Sequence, residues 1–403
     1  MKYASALIAL VAFFISCQNP PAETADLILV NGDIVTLDDT TPSAQALAVR
    51  EGKIWKLGAD ADMEALKGDS TKVIDLQGQF VMPGFIEGHG HFSGLGSSLM
   101  NLNFLRSQSW DDIVAAVAEK AKTAKPGEWI IGRGWHQEKW TTKPDRQVLG
   151  YPYHDELSEA TPDNPVLLRH ASGHGLFANK KAMELAGISA ETPNPNGGEI
   201  VRDSRGEAIG VFEERAQSLI NQVYQDYLRT LPEADKVAKW YEGIELAQQE
   251  CLAKGITSFQ DAGASYEEIS RYKEMAEKGQ FNLRLWAMLR HSYEDMKDNM
   301  AGFPLFPSGE GWFYSRASKS EVDGALGAFG AWMLAPYDDK PGFVGQNTTE
   351  IAEVARIAGL CMDHDMQLCV HAIGDRANRE VLHIMEAQFK DHPNKKDLRW
   401  RME

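Results

Sequence analysis

Cysteine is scarce, positive charge is in deficit, and the interior of the chain has no long apolar run. The 403 residues include four cysteines, too few and too scattered for a disulfide framework, so Cys251, Cys361 and Cys369 read as small buried hydrophobes. No internal stretch reaches the ~20 apolar residues that span a bilayer. Tandem repeats are missing, and so are G-x-x-x-x-G-K-[ST] and G-x-G-x-x-G loops, which argues against a nucleotide-binding core. Lysine and arginine total 41 against 58 aspartates and glutamates, a net charge of −17. An acidic surface repels phosphate backbones, which argues against a nucleic-acid partner. What remains is ordinary globular composition, 43% hydrophobic and 25% charged, which excludes disorder and collagen-like repeats. At ~150 residues per domain the length suggests about two or three domains.

The N-terminus departs from this pattern. Lys2 supplies a positive end, and residues 4–15 form an apolar stretch too short to span a membrane. Ser16-Cys17 follows, then the polar, proline-containing run 18–23. The arrangement resembles a bacterial lipoprotein signal, with Cys17 lipidated and becoming the new N-terminus. The plainer reading is a secretory signal with a coincidental cysteine. Either way residues 1–17 are a leader and the mature protein is expected to be exported and bacterial; on the lipoprotein reading it is held at the cell envelope only by an N-terminal lipid.

Residues 18–82 read as a small all-β unit. Strands flank Asn31-Gly32, residues 46–58 (ALAVREGKIWKLG) form a hairpin about Glu51-Gly52, and VIDL and QFVM add two more. From residue 83 to 403 strands alternate with amphipathic helices, the grammar of a parallel sheet. Six strands are expected: 80–87, 255–261, 282–289, 312–322, 367–373 and 398–403. A helix at 233–253 precedes the second, and Ser265-x-x-Glu268 is a capping box that opens another. About 165 residues separate the first two strands, too many for one connection. Residues 92–232 therefore read as an inserted subdomain, with a helix at 111–124 capped by Ser109 and a hairpin at 199–212.

Three positions carry chemistry. His89-Gly90-His91 leaves the first strand, and side chains two apart on a strand share a face. Two imidazoles so placed suit a divalent metal, although core or loop histidines have the same spacing. The glycines at 88 and 90 would keep bulk from between them. His371 stands at the C-terminal end of QLCVHAI, where functional groups gather in βα folds; alone it also reads as a packed histidine. Lys319 is either a solvated lysine or an amine able to add carbon dioxide, and spacing does not distinguish the two.

Seven segments, in order, resemble the metal-dependent amidohydrolase superfamily, in its family 3 branch containing N-substituted formamide deformylases. They are VMPGFIEGHGHFSGLG, GRGWHQEKW, SGHGLFANKKAMELAGI, PNGGEIVRDSRGEAIGVFEE, GITSFQDAG, VDGALGAFGAWMLAPYDDKPGFVG and VHAIGDRANREVLHIME. The resemblance implies an α/β fold, a (β/α)8 TIM-type barrel beside a small β-sandwich. It implies one or two divalent ions, usually zinc, and hydrolysis of an amide-like C–N bond in a small molecule. His89 and His91 would be first-strand ligands, His371 the fifth-strand ligand, and Lys319 a carboxylated bridge. Trp135, His136, Trp140 and His174 would face the substrate pocket, with ordinary packing as the competing reading.

Three departures follow from the comparison of motifs. Glu87 stands where the family commonly has aspartate. The strand around Lys319, Ser-Lys-Ser-Glu, is more polar than usual. The sixth-strand ligand histidine and the eighth-strand proton-shuttling aspartate would lie beyond Glu403. The expectation is thus a piece of a longer protein carrying about six of eight barrel strands, its general acid/base elsewhere. The alternative function is a non-catalytic or degenerate amidohydrolase-like envelope lipoprotein with a binding role.

Overall fold

The computed structural model describes residues 23–326, 330–338 and 340–403. The expected leader and Cys17 lie outside these residues. The chain divides into two compact units, Met1–Phe85 and Ile86–Glu403.

Among the described residues, the first unit holds a four-stranded and a three-stranded sheet. The hairpin Ala46–Arg50/Lys53–Gly58 turns on Glu51 and Gly52, both with positive φ (51° and 70°), as a two-residue type I′ connection requires. Ile28, Ala46, Ala48 and Met63 form its core. Phe80–Val81 pairs with Asp33–Val35 in the three-stranded sheet. The expected single strand over 80–87 is therefore two: Pro83 and Gly84 interrupt it, the proline lacking the N–H that a ladder needs.

The second unit is built on a curled sheet whose in-order strands are β1 (Phe85–Gly90), β2 (Ile256–Ala264), β3 (Arg284–Leu289), β4 (Phe313–Glu321), β5 (Gln367–His371) and β6 (Arg401–Met402). From β2 to β6 each neighbouring pair is parallel, giving an α/β half-barrel. The helices are α1 (Phe92–Leu99), α2 (Glu233–Ala253), α3 (Tyr266–Glu277), α4 (Ile351–Asp363) and α5 (Asp375–Asp391). Ser265 and Glu268 cap α3 reciprocally, as the sequence predicts.

Alternation sorts the strands into two faces. Phe259, Leu285, Phe313, Leu368 and Val370 pack outward with Ile244, Tyr272, Ile357 and Val381 of the helices. Ala262, Met288, Ala317 and Cys369 form a separate inner cluster with Trp286. Cys251, Cys361 and Cys369 are free and buried, and burial pushes the Cys369 thiol up to about 12.

The insertion has its own six-stranded sheet, in the order Gly198–Arg202, Ala208–Glu214, Gly175–Ala178, Val166–His170, Ile130–Trp135, Leu102–Asn103. The helix Trp110–Ala121 covers one face and Gln217–Thr230 the other. Helix α1, expected inside the insertion, belongs instead to the main core: Phe92 is buried beside Phe259 and Tyr272. Its approach to α2 is close. A Cβ built on Gly96 would stand 2.2 Å from the carbonyl oxygen of Gly243.

Beyond β4, one carboxylate ties two loops together. Asp323, 2% exposed, accepts the backbone N–H groups of Trp332 (2.7 Å), Ile373 (2.9 Å) and Gly374 (2.7 Å). This fixes the chain just after β5, and so the backbone that carries His371.

Three stability outcomes follow. Gly96→Ala should destabilise the protein by about 1–3 kcal/mol through overpacking. Gly359→Ala, in α4 with open space at its Cβ, should instead stabilise it by about 0.5–1 kcal/mol; urea unfolding of both distinguishes packing from helix propensity. Asp323→Ala, which strands N–H donors once bonded to a charge, should cost more than about 3 kcal/mol in the same assay.

Candidate metal centre

The half-barrel's inner face gathers charge at the C-terminal ends of its strands. His89 is the penultimate residue of β1, and His91 is the N-cap of α1, in extended conformation (φ −124°, ψ 98°). Their rings lie 6.0 Å apart at 78°. The intervening Gly90 faces the other way, where a Cβ would strike the Phe259 ring at 2.4 Å. Gly90 is thus needed for packing against β2 rather than for space between the imidazoles, which corrects the sequence expectation.

Lys319 reaches the same place because of a bulge. Trp286 and Met288 of β3, two residues apart, pair with Tyr314 and Ala317 of β4, three apart. The extra residue switches the alternation, so that Ala317 and Lys319 face inward while Ser318 points to Met296. The Lys319 side chain is 4% exposed and forms an ion pair with Glu403, itself 5% exposed. That carboxylate also lies 3.3 Å from His89 Nδ1 and 2.7 Å from an Arg401 nitrogen. Arg401 in turn donates to Gln260 (2.8 Å) and covers the Trp286 ring. Glu87 accepts the backbone N–H of His89 at 3.2 Å, a supporting role for the residue at the family's aspartate position.

The electrostatics favour a neutral His89. Burial lowers its pKa, Glu403 pulls it up, and Lys319, His91 and Arg401 lower it further, the net direction being down. Neutral imidazole is the metal-binding form.

His89, His91 and Lys319 are brought together, whereas His371 is placed on β5 opposite Glu321 in register. Among the described residues no three His, Cys, Asp or Glu side chains are arranged to hold a metal ion. The chemistry of the donors nevertheless fits a divalent ion on the histidine side. A carboxylate 3.3 Å from Nδ1 of His89 stands where a metal-binding histidine usually has its outer partner, with Nε2 as the nitrogen left for an ion. The Lys319 amine is paired with the Glu403 carboxylate.

The insertion's residues separate. Trp135 is fully buried and donates from Nε1 to the Leu168 carbonyl (2.8 Å), and Trp140, 5% exposed, stacks on it. Both belong to the subdomain core; indoles of this size bury large apolar area. His136 is half-buried with its ring 4.5 Å from His170, and His174 is exposed, 3.0 Å from Glu214. His170 was not singled out in the sequence. Burial, with His136 and His174 adding to it, lowers its pKa to about 4.

Sequence reasoning also passed over Glu403, Asp323 and Asp261. For the last, the available signal is a carboxylate closing the strand expected over GITSFQD.

Comparison with known proteins gives this geometry a context. The model of the amidohydrolase family matches residues 72–403. A putative amidohydrolase, YtcJ, of Bacillus subtilis is 30% identical over 90% of this chain and 66% of its own length. The N-substituted formamide deformylase of Arthrobacter pascens is 28% identical over the same shares, and the protein LONG AFTER FAR-RED 3 of Arabidopsis thaliana is 28% identical over 95% and 65%. The chain thus spans just under two thirds of the length of these relatives. An uncharacterized metal-dependent hydrolase of Pyrococcus horikoshii shares the fold, with a TM-score of 0.67 at 23% identity over 93% of this chain and 74% of that one. With a curled parallel sheet whose strand ends bear the H-x-H pair, and a family match over most of its length, this chain belongs to the amidohydrolase family.

Proposed function

We propose that the protein is a metal-dependent hydrolase that cleaves a C–N bond of a small amide-like molecule. The observation that carries this reading is the strand-end cluster of His89, His91, Lys319 and Glu403 on the inner face of the half-barrel. His89 through Nε2, and His91, would hold a divalent ion, with zinc the first choice for imidazole donors. Such an ion supplies Lewis acidity, making water easier to deprotonate near pH 7 and polarising a carbonyl.

The chain's own residues do the rest. Glu403 would orient His89 by accepting a hydrogen bond from its Nδ1–H. Lys319 balances the charge of Glu403 where water does not reach. Glu87 steadies the β1 backbone. His371, on the neighbouring strand to Lys319, completes the ligand set in this proposal. Support for the bond type is the deformylase among the relatives, which makes N-substituted formamides the first compounds to assay.

The test uses protein expressed from its complete gene, with metal content read by mass spectrometry and hydrolysis read on N-substituted formamides and acetamides. Chelation should abolish hydrolysis and zinc should restore it. His89→Ala should lose the metal, and Glu403→Gln should weaken its binding by ~10–100-fold. Full metal content and activity in His89→Ala would falsify the assignment. A folded protein with neither metal nor hydrolysis would instead favour a binding role.

The proposal extends to location: a lipid on Cys17 tethers the protein to a bacterial envelope. Metabolic labelling with a radioactive fatty acid should mark the wild type and not Cys17→Ala. Equal labelling of both rejects the anchor.

A further inference from the structure

We infer that Asp261 is a positioning residue for His91, holding the turn by which the chain leaves that histidine for α1. The inference rests on the metal-centre reading above and goes beyond it by assigning a role to a residue on β2.

A helix begins with N–H groups that lack intrahelical acceptors, and its N-cap side chain commonly supplies one. Here the N-cap is His91, which makes no side-chain cap hydrogen bond. The acceptor for the first helical N–H, that of Phe92, comes from a different strand: Asp261 Oδ1, at 3.2 Å. The other oxygen, Oδ2, accepts the Tyr272 hydroxyl of α3 at 3.3 Å. Asp261 is 1% exposed, and among the described residues no lysine, arginine or histidine lies within ion-pair distance of it. Burial raises its pKa to about 7. A buried carboxyl without a cation is costly, and an apolar side chain would fill this space at less cost but would leave the Phe92 N–H without a partner.

The grip extends to both sides of the histidine. Gly90 lies flush against the Phe259 ring of β2. The Phe92 ring is wedged 5.0 Å from Phe259 and 6.3 Å from Tyr272. The Leu95 N–H closes the first helical turn on the His91 carbonyl (2.7 Å). With its backbone held before and after, His91 keeps only its own χ1 and χ2 free. That is the preorganisation a metal ligand needs from its surroundings.

The experiment compares wild type, Asp261→Leu and Asp261→Asn in the complete protein. Zinc affinity is measured by competition with a chromophoric chelator, and amide hydrogen exchange is followed around Phe92 and, as a control, in the insertion's sheet. Asp261→Leu should lose ~10–100-fold in zinc affinity and speed exchange at Phe92 while leaving the insertion unchanged. Asp261→Asn, which retains an acceptor oxygen of the same reach, should recover most of the affinity and the protection. If the leucine variant does not fold, Asp261→Ser, too short to reach Phe92, takes its place. Zinc affinity within twofold of wild type together with unchanged exchange at Phe92 overturns the proposal. So does an asparagine variant as impaired as the leucine one. If the wild type binds no zinc, the metal-centre reading fails by itself. Exchange at Phe92 and the His91 ring resonances then decide the positioning claim: it stands if they change in the leucine variant and falls if they do not.

Discussion

A parallel sheet with helices on one side gives every strand a dry outer face and a separate inner one, and the pleat assigns residues to them alternately. Every feature of the candidate centre depends on that division. Phe259, Leu285, Phe313 and Val370 secure the helical layer. The alternate positions, shifted by one at the bulge in β4, are left to the inner face, where Ala262, Met288, Ala317 and Cys369 make a small apolar floor. Above this floor, toward the C-terminal ends of the strands, His89, Lys319 and Glu403 converge. Small floor residues leave room for charged groups over them, while the outer core supplies the stability that charged groups do not.

Three buried carboxylates show how polar groups are accommodated at these strand ends. Glu403 is balanced by Lys319, an ion pair whose desolvation offsets most of its Coulombic gain, so that removing one partner alone costs about 3–5 kcal/mol. Asp323 needs no cation because three backbone N–H groups converge on it and clamp the loops after β4 and β5. Asp261 has only one N–H and one hydroxyl, and its pKa rises accordingly. The first acts on a histidine ring, the second on the backbone next to His371, and the third on the backbone next to His91. All three support candidate ligands without being among them. Apolar cores alone do not fix backbone at this precision; directional bonds to fixed N–H groups do.

Much of the frame is legible in the sequence. Helix α2 runs over 233–253, the capping box at Ser265 and Glu268 opens α3, and the hairpin at Glu51-Gly52 turns as its residues require. These are local signals, carried by side chains within a few positions of one another. Errors arose where a local signal had two meanings. The apolar run over 80–87 read as one strand although Pro83 divides it between two sheets. Trp135 and Trp140, for which the sequence leaves pocket lining and ordinary packing equally open, are packed in the subdomain core.

The sequence by itself determined the alternation of strands and helices, the family, and the pairing of His89 with His91 on one face, because each rests on short-range order or on a run of motifs. Only the tertiary structure decided which groups meet that pair. The extra residue in β4 between Tyr314 and Ala317 turns Lys319 inward, and a bulge is set by pairing with a neighbouring strand, which composition and periodicity do not encode. The contacts of Glu403 with His89 and Lys319, and of Asp261 with Phe92, join segments far apart in the chain. Such contacts exist only once the sheet has curled, since it is the curvature that brings the ends of β1, β4 and β6 within hydrogen-bonding distance.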